Sequence, residues 1–325
     1  WGSTPDQGWN QFFDAPRYSS GYAALFQTIA FKSETHMLKP FDERVWATYY
    51  FLQAMLGYLH DNGTELIATR VKARRQVSTQ YAFPITWELD KSTFTPLSFK
   101  GYRPSRPTSE VSGLPRLKYN HDQPFEQIVP YYDTYKPAIT ITRPDFYIVP
   151  QAWHNIINRL KLNGIDMQQV DQDTQMRVEV YYIEDYASRK SPWEGHYFHN
   201  EVSLRKESEM VTVRKGDYMI PMKQANNRYV VETLEPEATD SFFRWNFFDA
   251  ILQMKEGYSS YVFEDLAAEL LANDPALSRD FEARKQADPE FAENGRAQLR
   301  YIYMHSDHYE EAHLRYPIYR FNLLE

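Results

Sequence analysis

Apolar residues follow two rhythms near the start of this chain, and each predicts an element. Residues 23–31 (Ala-Ala-Leu-Phe-Gln-Thr-Ile-Ala-Phe) form a nearly unbroken apolar run, which predicts a buried strand. Lys39-Pro40 ends it, and Asp42 is placed to cap a following helix. In that helix Val45, Tyr49, Leu52, Leu56 and Leu59 recur at three- and four-residue steps, which predicts an apolar stripe facing a sheet. Asp61-Asn-Gly63 then predicts a break. A second, more basic helix is expected over residues 64–76, with Arg70, Lys72, Arg74 and Arg75 on its outer side.

The pattern changes after residue 80. Residues 83–89 and 93–99 have strand composition, separated by a turn at Asp90-Lys-Ser92. Residues 103–144 are rich in Pro, Ser and Arg with little period, which predicts a long surface connection and a domain boundary. Strand-like Phe146-Tyr-Ile-Val149, a helix over 151–162 stopped by Asn163-Gly164, and a strand over 165–170 read as a βαβ-type step with a local parallel pair. Strands are expected at 176–184, 202–206, 210–213 and 216–221. Helices are expected at 229–234, 241–255, 262–272, 275–286 and 289–303. Asp274-Pro275 and Asp288-Pro289 are helix starts, with Asp as cap and Pro at the first helical position. The expected fold class is α/β, divided at residues 1–76, 77–144 and 145–325.

Composition narrows the function. The 325 residues carry a net charge of −8, which argues against a general nucleic-acid binder. No apolar run is long enough for a membrane span. The absence of Cys rules out disulfides and thiolate-ligated metals. The opening Trp1-Gly-Ser-Thr-Pro-Asp6 has no initiator Met and no charged-then-apolar leader, and reads as a chain cut into. The 25 Tyr, 20 Phe and 7 Trp suit thick cores with hydroxyls at their rims, or a sugar- or peptide-binding surface.

Chemistry concentrates around Glu34. The stretch Arg17-Tyr-Ser-Ser-Gly-Tyr22, then Glu34-Thr-His-Met-Leu-Lys-Pro-Phe41, then Arg44-Val45, resembles the segment of bacterial carboxypeptidase A-like zinc metallocarboxypeptidases that carries the general base. The resemblance covers roughly residues 10–60. It implies that Glu34 takes a proton from a metal-bound water and passes it to the leaving amine. It implies a substrate-covering Tyr, for which Tyr18 and Tyr22 are the candidates. Arg17 is placed either to meet a substrate carboxylate or to hold the loop. His36 either supports Glu34 or is a packed histidine beside it. The resemblance also implies a periplasmic or extracellular setting, a peptide substrate and Zn2+ in a full-length parent.

The family holds zinc with a His-x-x-Glu pair and a distant His, all upstream of the base. No His precedes Glu34 here, so no metal ligand is assigned and no metal is expected in this chain alone. The expectation is therefore the rear portion of a carboxypeptidase-like catalytic domain, a β-rich connection, and an α/β accessory domain. The missing front of the catalytic domain, or a second copy in a homo-oligomer, would be the partner. The rival is a non-enzymatic module binding peptide, glycan or another domain. A third reading uses the cluster His305, His308, Glu311 and His313 as a metal site, against plain surface histidines. His196 and His199 would point to opposite faces of an extended segment. The run Phe242, Phe243, Trp245, Phe247 and Phe248 is expected to form the core of the last domain or to dock on the missing one.

Overall fold

The computed structural model describes residues 4–323; Trp1, Gly2 and Ser3 of the opening segment lie outside it. In chain order it contains β1 (Trp9–Asn10), α1 (Ser19–Leu25), α2 (Phe41–Thr79), β2 (Ala82–Leu89), β3 (Thr95–Ser105), β4 (Lys118–Tyr132), β5 (Tyr135–Thr142), β6 (Phe146–Val149) and α3 (His154–Leu162). There follow β7 (Gln168–Gln169), β8 (Thr174–Ser188), β9 (His199–Val213), β10 (Tyr218–Pro221), α4 (Asn227–Leu234), α5 (Ser260–Asn273), α6 (Pro275–Ala287), α7 (Pro289–Ala292), α8 (Gly295–Met304) and β11 (Tyr319–Phe321). Helices and mostly antiparallel sheets together give the mixed α/β composition expected.

The first apolar run is not a buried strand. Its first three residues lie in α1, and residues 28–36 carry no regular secondary structure and have no strand partner among the described residues. A run becomes sheet only when a neighbouring strand accepts from its N–H groups and donates to its C=O groups. Here the segment lies along α2 through side chains: Phe31 packs on Phe51 with centroids 6.2 Å apart, and Ser33 Oγ is 3.5 Å from Thr48 Oγ1.

Helix α2 is a single element of 39 residues, so Asp61-Asn-Gly63 does not break it. A glycine costs a helix only about 1 kcal/mol, and Asn62 turns its amide onto the Tyr58 carbonyl rather than leaving the helix. Pro40 stands at the N-cap, so Asp42 contributes through the helix dipole in the first turn and not as a capping side chain. The predicted stripe exists but meets no sheet. Val45, Tyr49, Leu52, Leu56 and Leu59 are 46 to 67% exposed, and no residue of α2 is buried.

Residues 103–144 are more ordered than their composition suggested. β3 pairs with β4, and β2 pairs with β5, so residues 82–142 form one long two-stranded antiparallel arm. Asp90 accepts the Ser92 amide where the arm bends. β1 adds a short parallel edge to β4.

The six-stranded sheet has the order β7-β10-β6-β11-β8-β9, and every ladder in it is antiparallel. The βαβ-type step is therefore split: β6 and β7 run the same way, but β10 lies between them. Gly164, at φ +66°, makes the left-handed turn that ends α3. Alternation assigns the faces. Tyr147, Val149, Tyr181, Ile183 and Ile220 join Ile156 and Leu160 of α3 and Val230 and Leu234 of α4 in the main core. Ile148, Val178, Val180, Val211 and Val213 form a second cluster on the other face. Leu25, Phe83, Ile85 and Ile141 belong to the main core too, so α1 and the base of the arm are packed onto this sheet unit.

Residues 241–255 are turns and a short 3-10 segment, not the expected helix. Asn246, at φ 66°, breaks the backbone, and Phe242, Phe243 and Phe248 are buried in the main core. Helices α5 to α8 bury a separate core around Phe263, Phe281, Phe291 and Tyr303. Asp274 and Asp288 cap α6 and α7 as their sequences predict, accepting the amides of Leu277 and Phe291, each at 3.0 Å. The expected helix over 289–303 is two helices, α7 and α8, with Asn294 capping the second.

Candidate functional site

Glu34 sits on the segment between α1 and α2, with its side chain 74% exposed. Lys32, two residues earlier, places Nζ 2.9 Å from Glu34 Oε1. The hydrogen bond from Lys32, and then its charge, hold the Glu34 carboxyl below the usual carboxylate range. The same contact raises Lys32, with smaller pushes from Asp14 and Tyr18.

The two candidate tyrosines differ in what they touch. Tyr18 is half-buried, stands at the N-cap of α1 and packs edge-on against Phe12 at 5.1 Å. Tyr22, one turn later, donates its hydroxyl to Asn163 at the end of α3. Its ring meets Phe26 at 5.3 Å, and Phe26 stacks on Tyr229 at 5.3 Å. Tyr22 is therefore engaged with the sheet unit, whereas the Tyr18 ring meets Phe12 of the segment before α1. Gly21 is required between them, because a Cβ there would stand 2.1 Å from the Ala15 carbonyl oxygen.

Arg17 is engaged with the chain around Asp240. Its Nε is 2.8 Å from Asp240 Oδ1, and its backbone N–H donates to Asp240 Oδ2 at 2.9 Å. A further guanidinium N–H reaches the Thr239 carbonyl. The planar group also lies over Phe198, Trp193 and Trp245, 4.6 to 5.6 Å from their centroids. Of its two expected roles, this geometry matches holding the loop. His36 neither supports Glu34 nor is packed. It is exposed, and its Nδ1 accepts the Leu38 amide at 3.2 Å.

The other histidines are scattered. α8 ends at Met304, so His308 and Glu311 do not share a helix face. His305 contacts the Tyr301 carbonyl, and His313 contacts the Tyr309 hydroxyl. His196 lies against Trp245 and Phe247. His199 is buried between Ser188 Oγ at 2.8 Å and Asp249 Oδ1 at 3.0 Å. Among the described residues no group of three His, Asp or Glu side chains is placed to hold a metal ion. No helix among the described residues is long and apolar enough to cross a membrane.

Comparison with known proteins gives one relation. Over 107 residues the chain is 26% identical to Carboxypeptidase 2 of Trichophyton rubrum, a stretch covering 33% of this chain and 20% of that protein. Carboxypeptidase 2 of Trichophyton tonsurans and of Trichophyton equinum are each 26% identical over 105 residues, covering 32% of this chain and 19% of theirs. The match thus spans about a fifth of the length of these curated relatives. No family model and no solved structure matches. About a third of the chain is distantly related to carboxypeptidases.

Sequence reasoning missed Lys32 as the partner of Glu34, although its two-residue spacing carried the signal. It also missed the pairing of Arg17 with Asp240, 223 positions away, for which no local signal exists.

Proposed function

We propose that this chain is the rear portion of a carboxypeptidase-like peptidase that hydrolyses C-terminal peptide bonds. Glu34 is its proton-transferring carboxylate and Tyr18 its substrate-covering side chain. The observation that carries this reading is the exposed Glu34 carboxylate, paired with Lys32, on a segment whose motif resembles that of carboxypeptidases. The distant relation to Carboxypeptidase 2 supports it. So does the bare stripe of α2, which has the spacing of a helix that covers a sheet. In this reading the sheet under α2 and the zinc ligands come from polypeptide outside this chain. The setting is periplasmic or extracellular.

Within the chain, Glu34 accepts the proton of the attacking water and returns it to the leaving amine. Its exposure leaves the carboxylate free to face a substrate. Tyr18 closes over the substrate from the loop before α1.

The test is peptide hydrolysis by the complete protein, comparing a peptide with a free C-terminal carboxylate against its C-terminal amide. Glu34→Gln is expected to lower kcat by about 10² to 10⁴, the range for loss of a positioned acid–base group. Equal cleavage of both peptides, or full activity in the variant, would sink the reading. One feature favours the rival binding module. Trp9, Phe99, Tyr102, Tyr119 and Phe125 surround a hollow of about 280 Å³ on the arm.

A further inference from the structure

Helix α1 and the loop before it are tied to the sheet unit at both ends. At the front, Asp240 is buried, with its side chain 5% exposed; it accepts the Arg17 backbone N–H at 2.9 Å and the Trp245 indole N–H at 3.0 Å, and forms an ion pair with the Arg17 guanidinium at 2.8 Å. At the back, Leu25 enters the main core and the Tyr22 hydroxyl reaches Asn163. Tyr18 lies between these anchors, one residue after Arg17. Its carbonyl accepts the Tyr22 amide at 2.8 Å, which starts α1. Fixing both the backbone and the side chain of Arg17 therefore fixes the direction in which residue 18 leaves the loop. Arg17 contributes its guanidinium to three aromatic faces as well, so the contact is large for a single residue.

We propose that Arg17 and Asp240 are positioning residues for Tyr18, so that the sheet unit sets the pose of the substrate-covering loop. The inference rests on the carboxypeptidase reading for what Tyr18 does, and on the geometry alone for how it is held. It gives the region after the arm a role: it is the backstop of the site. It also accounts for the fork of Arg17 being turned inward, since a guanidinium committed to Asp240 and Thr239 holds a loop instead of a ligand. Arg244 donates from its two terminal nitrogens to the carbonyls of Asn200 and Glu237 and has no ion pair with Asp240.

The experiment has two arms on the complete protein. The first is peptide-level hydrogen exchange of wild type, Asp240→Asn, Asp240→Ala and Arg17→Gln. Amides of residues 17–25 are expected to exchange about tenfold faster in Asp240→Ala and Arg17→Gln, while β8 and β9 keep their rates. Asp240→Asn, which retains an acceptor for the Arg17 N–H, is expected to fall between. Arg17→Gln reaches the same contact without altering the turn that holds Asp240, so a misfolded Asp240→Ala does not spoil the comparison. Unchanged protection over 17–25 in a folded variant overturns the proposal. The second arm is steady-state kinetics: KM for a peptide should rise about tenfold in Arg17→Gln with kcat less affected, and an unchanged KM likewise overturns it. A wild type without peptidase activity would overturn the carboxypeptidase reading instead, because exchange needs no turnover.

Discussion

Lys32 Nζ stands 2.9 Å from Glu34 Oε1, and this contact governs how the candidate base titrates. The neighbour's hydrogen bond and charge lower the Glu34 pKa, so the ionised base persists to lower pH than an isolated Glu would allow. Lys32→Ala should move the acid limb of the kcat/KM profile to higher pH. Both groups are open to solvent, so added salt should produce part of the same shift in the wild type. A pH–rate series at two ionic strengths checks both; an acid limb that ignores Lys32 would detach Glu34 from the reaction.

Arg320 is the hub of a buried charge cluster. Its guanidinium is 2.9 Å from Glu179 Oε1 and 3.5 Å from Glu235 Oε1, and Glu235 also accepts the Tyr147 hydroxyl. Burial, and next the Glu235 charge, push the Tyr147 hydroxyl well above its ordinary range, so it stays a donor. Arg320→Met should destabilise the fold by about 3 to 5 kcal/mol, because Glu235 is left charged and unpaired in the core. Urea unfolding followed by tryptophan fluorescence measures this.

Glu232 gives stability a pH dependence of known sign. Burial pushes its carboxyl up from 4.5 to about 7; Arg228 pulls down and Asp240 pushes further up. The folded chain therefore holds a proton that the unfolded chain has already released. Stability from this group is full below about pH 4.5 and declines as pH rises towards about 7. Glu232→Gln should flatten that decline. Urea midpoints taken across the window would show it, and an unaltered slope would place the titration elsewhere.

The exposed stripe of α2 predicts association. Val45, Tyr49, Leu52, Leu56 and Leu59 form a continuous apolar face. The 325-residue chain produced alone should self-associate, and Leu52→Lys with Leu56→Lys should return it towards monomer. Sedimentation velocity across a concentration series distinguishes the two. A wild-type chain that stays monomeric at high concentration would count against a missing partner for this face.

Much of the fold follows from local rules. The periods of β8, α3 and α5, the Asp-Pro caps of α6 and α7, and the glycine that ends α3 are all written within a few residues. The errors came where distant chain decides. An apolar run becomes a strand only beside another strand, and residues 28–36 have none among the described residues. Phe242 to Phe248 looked helical by composition, but three of those rings point into one core, and a turn reaches it better than a helix. β10 inserting between β6 and β7 is equally invisible locally.

By itself the sequence determined that Glu34 stands just ahead of a helix, and which motif surrounds it. Those features depend on neighbours within a few positions, through torsions, caps and spacing. Only the tertiary structure decided that Arg17 belongs to Asp240 and that Tyr22 belongs to Asn163. These pairings arise when the sheet unit buries its aromatic core and leaves particular acceptors at the surface where α1 docks. No linear pattern encodes that geometry, because it depends on elements separated by most of the chain.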